Sequence, residues 1–192
     1  MQTASRAAST QASSTQASST QASPTRVPIR PALPWWLRLP AAILPVGATS
    51  LIGGLSTAPE IDGWYAGLAK PAFNPPNAAF PIAWTILDVL MVVSAWRLLG
   101  ARPATGPSRR GWWLAIAAFG VQLALNAAWT PTFFARHALG AGLVVVVALL
   151  VMILWTIRLS WRIDRIAAWL LVPYAAWVAF ASLLNAAIWR LN

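Results

Sequence analysis

Residues 138–157 read ALGAGLVVVVALLVMILWTI, twenty consecutive positions without a charge. A helix rises about 1.5 Å per residue, so a run of this length crosses the roughly 30 Å hydrocarbon core of a bilayer. In water the same run would have to be buried on every side. The remainder of the chain is poorly equipped to cover it, because only 9% of its 192 residues are charged, against about 25% in soluble domains. A core helix in a soluble domain is therefore the poorer account.

Four further apolar segments lie at about 39–55, 79–99, 112–134 and 166–189. The first is loosened by Pro40, Pro45 and the Gly53–Gly54 pair, and Pro173 is expected to kink the last. Membrane helices tolerate such a proline where neighbours satisfy the freed carbonyl. The predicted fold is an all-α membrane protein, a bundle of five transmembrane helices over residues 35–192. Residues 1–34 are a separate low-complexity extension, with TQASS repeated from Thr10 and from Thr15. That tract has almost nothing apolar to bury and is expected to be disordered. It lacks the apolar region of a secretory signal peptide, and its Ser, Thr and Arg content resembles a transit peptide only weakly.

The formal charge of +10 would point to nucleic acid if the cations were spread over the chain, but they are not. Arg6, Arg26, Arg30, Arg38, Arg97, Arg102, Arg109, Arg110, Arg158, Arg162 and Arg165 fall on the N-terminal side of a five-helix topology. Only Lys70, Arg136 and Arg190 fall on the other, together with Glu60 and Asp62. This bias is the positive-inside signature and predicts a cytoplasmic N-terminus. The basic excess thus needs no nucleic acid; the partner it implies is membrane lipid. A bacterial cell membrane is the expected location, with the mitochondrial outer membrane as the alternative.

Residues 64–85, WYAGLAKPAFNPPNAAFPIAWT, join the first two segments. They are too interrupted by proline for helix, too aromatic for a passive linker, and carry the only lysine. Pro71, Pro75 and Pro76 lock φ and stiffen the path, while Trp64 and Tyr65 can bury rings and keep a polar edge wet. The choices are a lid over a site or a rigid connector.

Tryptophan is abundant, at 13 residues. Trp35, Trp36, Trp112, Trp113, Trp161 and Trp189 lie near segment ends, as an interfacial belt requires. Trp84, Trp129, Trp155, Trp169 and Trp177 lie deeper, and a belt does not explain them all. Three helical faces pair indole with polar groups: Trp84 with Asp88; Gln122 and Asn126 with Trp129; and Tyr174, Trp177 and Ala181 with Asn185. Polar groups in hydrocarbon are costly and should turn inward. Interhelical hydrogen bonds, at about 0.6–2 kcal/mol each, are one use for them. Aromatic walls around a cavity for a planar, mostly apolar ligand are the other.

Several chemistries drop out. No span contains lysine, which excludes a retinal Schiff base, and cysteine is absent. His137, Met91, Met152 and the two tyrosines are the only conventional haem-iron ligands, and none is paired on an evident face. No metal site and no hydrolytic constellation is expected. Gly120, Ala124 and Ala128 form a small-residue stripe on the third helix, suited to homodimerisation or to close packing within one monomer.

The motifs WYAGLAKPAFNPP, AWTIL, QLALNAAWTPTFF and RIAAWLLVPYAAWVAFASLLNAAIWRLN, in this order, resemble the translocator protein family. The family is also called the tryptophan-rich sensory proteins or peripheral-type benzodiazepine receptors. The resemblance runs from about Gly53 to Asn192. It implies a dimeric five-helix bundle that binds porphyrins, protoporphyrin IX or haem, without a required cofactor, beneath a lid formed by the first loop. Carried over by motif, the pocket includes Trp84, Asn126 with Gln122, Trp177 and Ala181, with Trp84 and Trp177 flanking the macrocycle. Some family members have been proposed to degrade porphyrin in light, which would implicate Trp84 and Trp177 in catalysis. Three readings follow: a binding and sensing protein, a photochemical enzyme, or a transporter of apolar molecules. Asp88 stands where the family motif has tyrosine, which puts the ligand preference in question. The cholesterol-recognition tyrosine of animal members is replaced by Ala186.

Overall fold

The computed structural model describes residues 34–101 and 107–192. The expected disorder of the N-terminal tract up to residue 33 lies outside these residues, as does Arg102. The elements are α1 (Trp35–Thr57), α2 (Trp64–Gly67), α3 (Ala79–Gly100), α4 (Pro107–Thr130), α5 (Leu139–Ser160), α6 (Arg165–Leu170) and α7 (Val172–Leu191). A π-helical turn, Pro131–Ala135, prolongs α4. With α6 and α7 taken as one span, five helical segments are long and apolar enough to cross a membrane.

The prolines act differently according to position. α1 stays helical through Pro40 and Pro45, and the Thr49 hydroxyl donates to the Pro45 carbonyl at 3.0 Å. The last span is interrupted at Leu171, between α6 and α7. Pro173 has no N–H for the carbonyl four residues back, and its ring crowds the preceding turn. Between the first two spans the chain is not wholly non-helical. Trp64–Gly67 makes one turn, and α3 already starts at Ala79. Pro81 fits there because the first turn needs no N–H from it.

The helices close into a circuit: α1 lies between α3 and α4, α4 packs along α5, α5 along α7, and α6 returns to α3. Met91, Leu98, Leu149, Ile153, Leu171 and Tyr174 fill the centre. Much of the outer surface is apolar; Leu55 and Val144 are 69% and 70% exposed. Water would not favour that surface, but a hydrocarbon solvent does.

At the arginine-rich end, Asp164 caps α6 by accepting from the Ile166 and Ala167 amides at 2.9 and 3.0 Å. It also pairs with Arg97 of α3 at 2.8 Å. Burial alone would raise its pKa, but these amides and the guanidinium together hold it below the usual carboxylate value. Ser94 donates to the Ala167 carbonyl at 2.8 Å, and the Trp112 indole to that of Leu98 at 2.7 Å. The end of α3 is thereby fastened to both α6 and α4.

Candidate functional site

At the opposite end, α1, α3 and α4 diverge around a cavity of about 400 Å³. That lies within the roughly 300–1,000 Å³ of small-molecule sites. The α3 wall is one helical stripe, Phe80, Trp84 and Asp88, with Pro81 and Thr85 alongside. Facing it, α1 supplies Thr49, Ser50, Gly53, Gly54 and Thr57, small residues that recur every three or four positions. α4 contributes Asn126, Trp129 and Thr130, and the π-turn adds Phe134. Thr49 and Thr85 spend their hydroxyls on helix carbonyls one turn back, at 3.0 and 2.8 Å. At the deep end Ser50 donates to Asp88 Oδ2 across the α1–α3 cleft.

The connection from α1 to α3 covers the mouth. Within that connection Tyr65 is buried, lines the cavity, and donates to Asn74 Oδ1 at 2.9 Å. Burial pushes its phenol pKa up, and the bond to Asn74 offsets part of that rise. Lys70 sits 4.7 Å from the centre of the Tyr65 ring and donates to the Ala66 and Leu68 carbonyls, both at 3.1 Å. The lone lysine therefore shapes the lid and reaches no ligand space. Trp64 stacks on His137 with centroids 4.2 Å apart, and His137 Nε2 lies 2.9 Å from Glu60. His137 adopts φ 52°, a left-handed conformation that aims its ring back at the lid. On the other flank, Asn192 exchanges two hydrogen bonds with the Ala69 backbone, each 3.0 Å.

The sequence-derived candidates divide into two groups. Tyr65, Trp84, Asp88, Asn126 and Trp129 border the cavity. Trp64, Gln122, Tyr174, Trp177, Ala181 and Asn185 do not. Trp64 belongs to the lid clasp just described. Tyr174 is buried, meets Trp84 edge-on with ring centroids 6.2 Å apart, and braces that indole. Trp177 lies behind Phe80, with ring centroids 6.0 Å apart. Ala181 is packed in the central core. Asn185 donates to the Leu139 carbonyl at 2.9 Å and accepts from the Trp129 indole at 3.4 Å. A methyl on Gly142 would stand 3.2 Å from Asn185 Oδ1, so the glycine makes room for this bridge. Gln122 is fully buried, and neither end of its amide has a partner among the described residues.

The α1 wall is not anticipated from the sequence, where Gly53 and Gly54 read only as helix-loosening. A signal was present: Thr49/Ser50, Gly53/Gly54 and Thr57 repeat with helical period, and small side chains are what leave open space beside a helix. Trp155 and Trp169, which a belt did not readily explain, are 57% and 60% exposed on the outer surface.

The wider relationships of the chain agree with this architecture. Over 129 residues it is 40% identical to Protein CrtK of Rhodobacter capsulatus, covering 67% of this chain and 78% of that protein. Tryptophan-rich protein TspO of Chlorobaculum tepidum is 37% identical over 145 residues, 76% of this chain and 89% of that one. Translocator protein of Sus scrofa is 35% identical over 172 residues, covering 84% and 93%. The TspO/MBR family profile matches residues 41–190, which reach into all five spans and include the lid between the first two, and the chain belongs to that family.

Proposed function

We propose that this membrane protein binds a flat, largely apolar tetrapyrrole, protoporphyrin IX or haem, beneath the lid and acts as a ligand-responsive regulatory protein. The observation that carries this reading is the cavity wall itself. Trp84 and Trp129 come from different helices and border one space, backed by Phe80 and Phe134. Indole and phenyl faces suit a flat macrocycle, and relatives named tryptophan-rich protein TspO and translocator protein are consistent with a ligand-handling role. The N-terminus is cytoplasmic in this proposal, since Arg38, Arg97, Arg109, Arg110, Arg158, Arg162 and Arg165 gather at the end of the bundle away from the lid.

Protoporphyrin IX titrated into the purified protein should quench tryptophan fluorescence saturably, and Trp84→Phe should reduce the quenching amplitude. Growth of a new pigment under illumination would instead favour porphyrin breakdown. Quenching that neither saturates nor responds to Trp84→Phe would remove the cavity as the binding site.

A further inference from the structure

The cavity is fastened towards water and open towards lipid. On the water side Tyr65 is tied to Asn74, Trp64 and Glu60 to His137, and the Ala69 backbone to Asn192. The flank between α1 and α3 is different. Ser50, Gly54 and Ala58 of α1, and Pro81 and Thr85 of α3, all line the cavity and are all exposed. Residues four apart stand one above another on a helix, so each set forms a row. Ala58 and Pro81 lie towards the lid, while Ser50 meets Asp88 at the far end. The rows are the two edges of a slot about 12 Å long, the rise from Ser50 to Ala58 at 1.5 Å per residue. Leu55, Ile82 and Ile86 beside it are exposed and apolar, so the slot gives onto hydrocarbon.

We infer that the flat ligand enters and leaves the cavity from the bilayer, edge-first through the slot between α1 and α3, while the lid stays closed. Opening the lid breaks its hydrogen bonds and brings the rings of Trp64 and Tyr65 into water, which opposes it. Widening the slot meets no such opposition, because lipid tails are as apolar as the side chains they replace. Among the described residues only the Ser50–Asp88 hydrogen bond bridges the two edges. Small residues keep the α1 edge low: Gly54 has open space where a side chain would begin. A planar molecule is thin edge-on, and on this path its apolar faces pass from hydrocarbon to the indoles of Trp84 and Trp129 without returning to water. The inference rests on the reading of this cavity as the ligand site and adds the route to it.

The test follows protoporphyrin IX entering and leaving the full chain in nanodiscs by stopped-flow tryptophan quenching, with empty nanodiscs subtracted. Thr85→Phe narrows the slot from the α3 edge; the Thr85 hydroxyl is already bonded to the Pro81 carbonyl, so no polar contact with the ligand goes with it. A narrowed doorway slows passage in both directions. Association and dissociation should therefore each fall by about tenfold, with their ratio held within about twofold. Gly54→Val narrows the α1 edge and should act alike, and circular dichroism and melting temperature report the fold of both variants. A loosened lid supplies a second passage, so adding His137→Ala to Thr85→Phe should raise both rates again. Unchanged rates in the folded slot variants overturn the route. So does slower association with faster release, the mark of a damaged pocket wall rather than a doorway. If wild-type quenching fails to saturate or ignores Trp84→Phe, the cavity reading falls and the route with it. A saturable, Trp84-dependent signal that neither slot variant slows in both directions removes the route alone.

Discussion

Ala181 shows how far one side chain's role depends on its neighbours. It is 8% exposed and packed into the central cluster with Leu87, Tyr174 and Val178. Ala181→Leu should therefore overpack the core at a cost of about 1–3 kcal/mol. A lower melting temperature at near-native protoporphyrin affinity is the expected pair of results. Weaker binding at unchanged stability would instead place the ligand beside α7. Asp164 carries a different kind of stability. Its lowered pKa means the folded state favours the ionised carboxyl, so the contribution is present above the ordinary value of 3.8. It is lost as pH falls through the lowered folded value. Asp164→Ala should cost about 0.5–2 kcal/mol through the lost α6 cap. Thermal melts between pH 3 and pH 7 should show the gap between wild type and variant narrowing at the acid end.

Among the elements, the lid depends most on side chains remote in sequence. Its clasp joins Glu60 and Trp64 to His137, on the connection between α4 and α5. A partly exposed polar contact of this kind contributes about 0–1 kcal/mol, so its loss is expected to act on the lid rather than on the folding of the bundle. His137→Ala should speed protoporphyrin dissociation by roughly two- to fivefold at unchanged helicity, measured by stopped-flow competition. An unaltered off-rate would assign the clasp to loop packing alone. The spans themselves were legible because length and lack of charge suffice to specify a membrane helix. The turn at Trp64–Gly67 was less so. Four residues carry no helical periodicity, and aromatic packing of Trp64 and Tyr65 on Phe133 and Phe134 decides their conformation.

At the scale of the whole molecule, α4 offers an outer face of small residues on which a second copy could pack. Gly120, Ala124 and Ala128 are all exposed, and a methyl on Gly120 would meet nothing within 4 Å. The stripe is therefore available to another chain, and close approach of two such stripes is a recurrent mode of helix association in membranes. We propose a homodimer through α4. Gly120→Leu combined with Ala124→Leu should convert it to monomer, read by light scattering in detergent; an unchanged mass would move the interface to another helix. Five spans, their alternating direction, the arginine-rich end and a proline-stiffened lid all followed from the sequence by itself. Each depends only on local composition measured against the thickness and charge asymmetry of a bilayer. The rotation of each helix about its own axis did not. In lipid, the outside of a helix is as apolar as its inside, so hydrophobic periodicity does not mark the buried face. Only packing sent Trp84 and Trp129 to the cavity and Trp155 and Trp169 to the outer surface. Packing likewise turned Gln122 into the core while leaving Asn126 at the cavity wall, and set the small residues of α1 opposite Asp88.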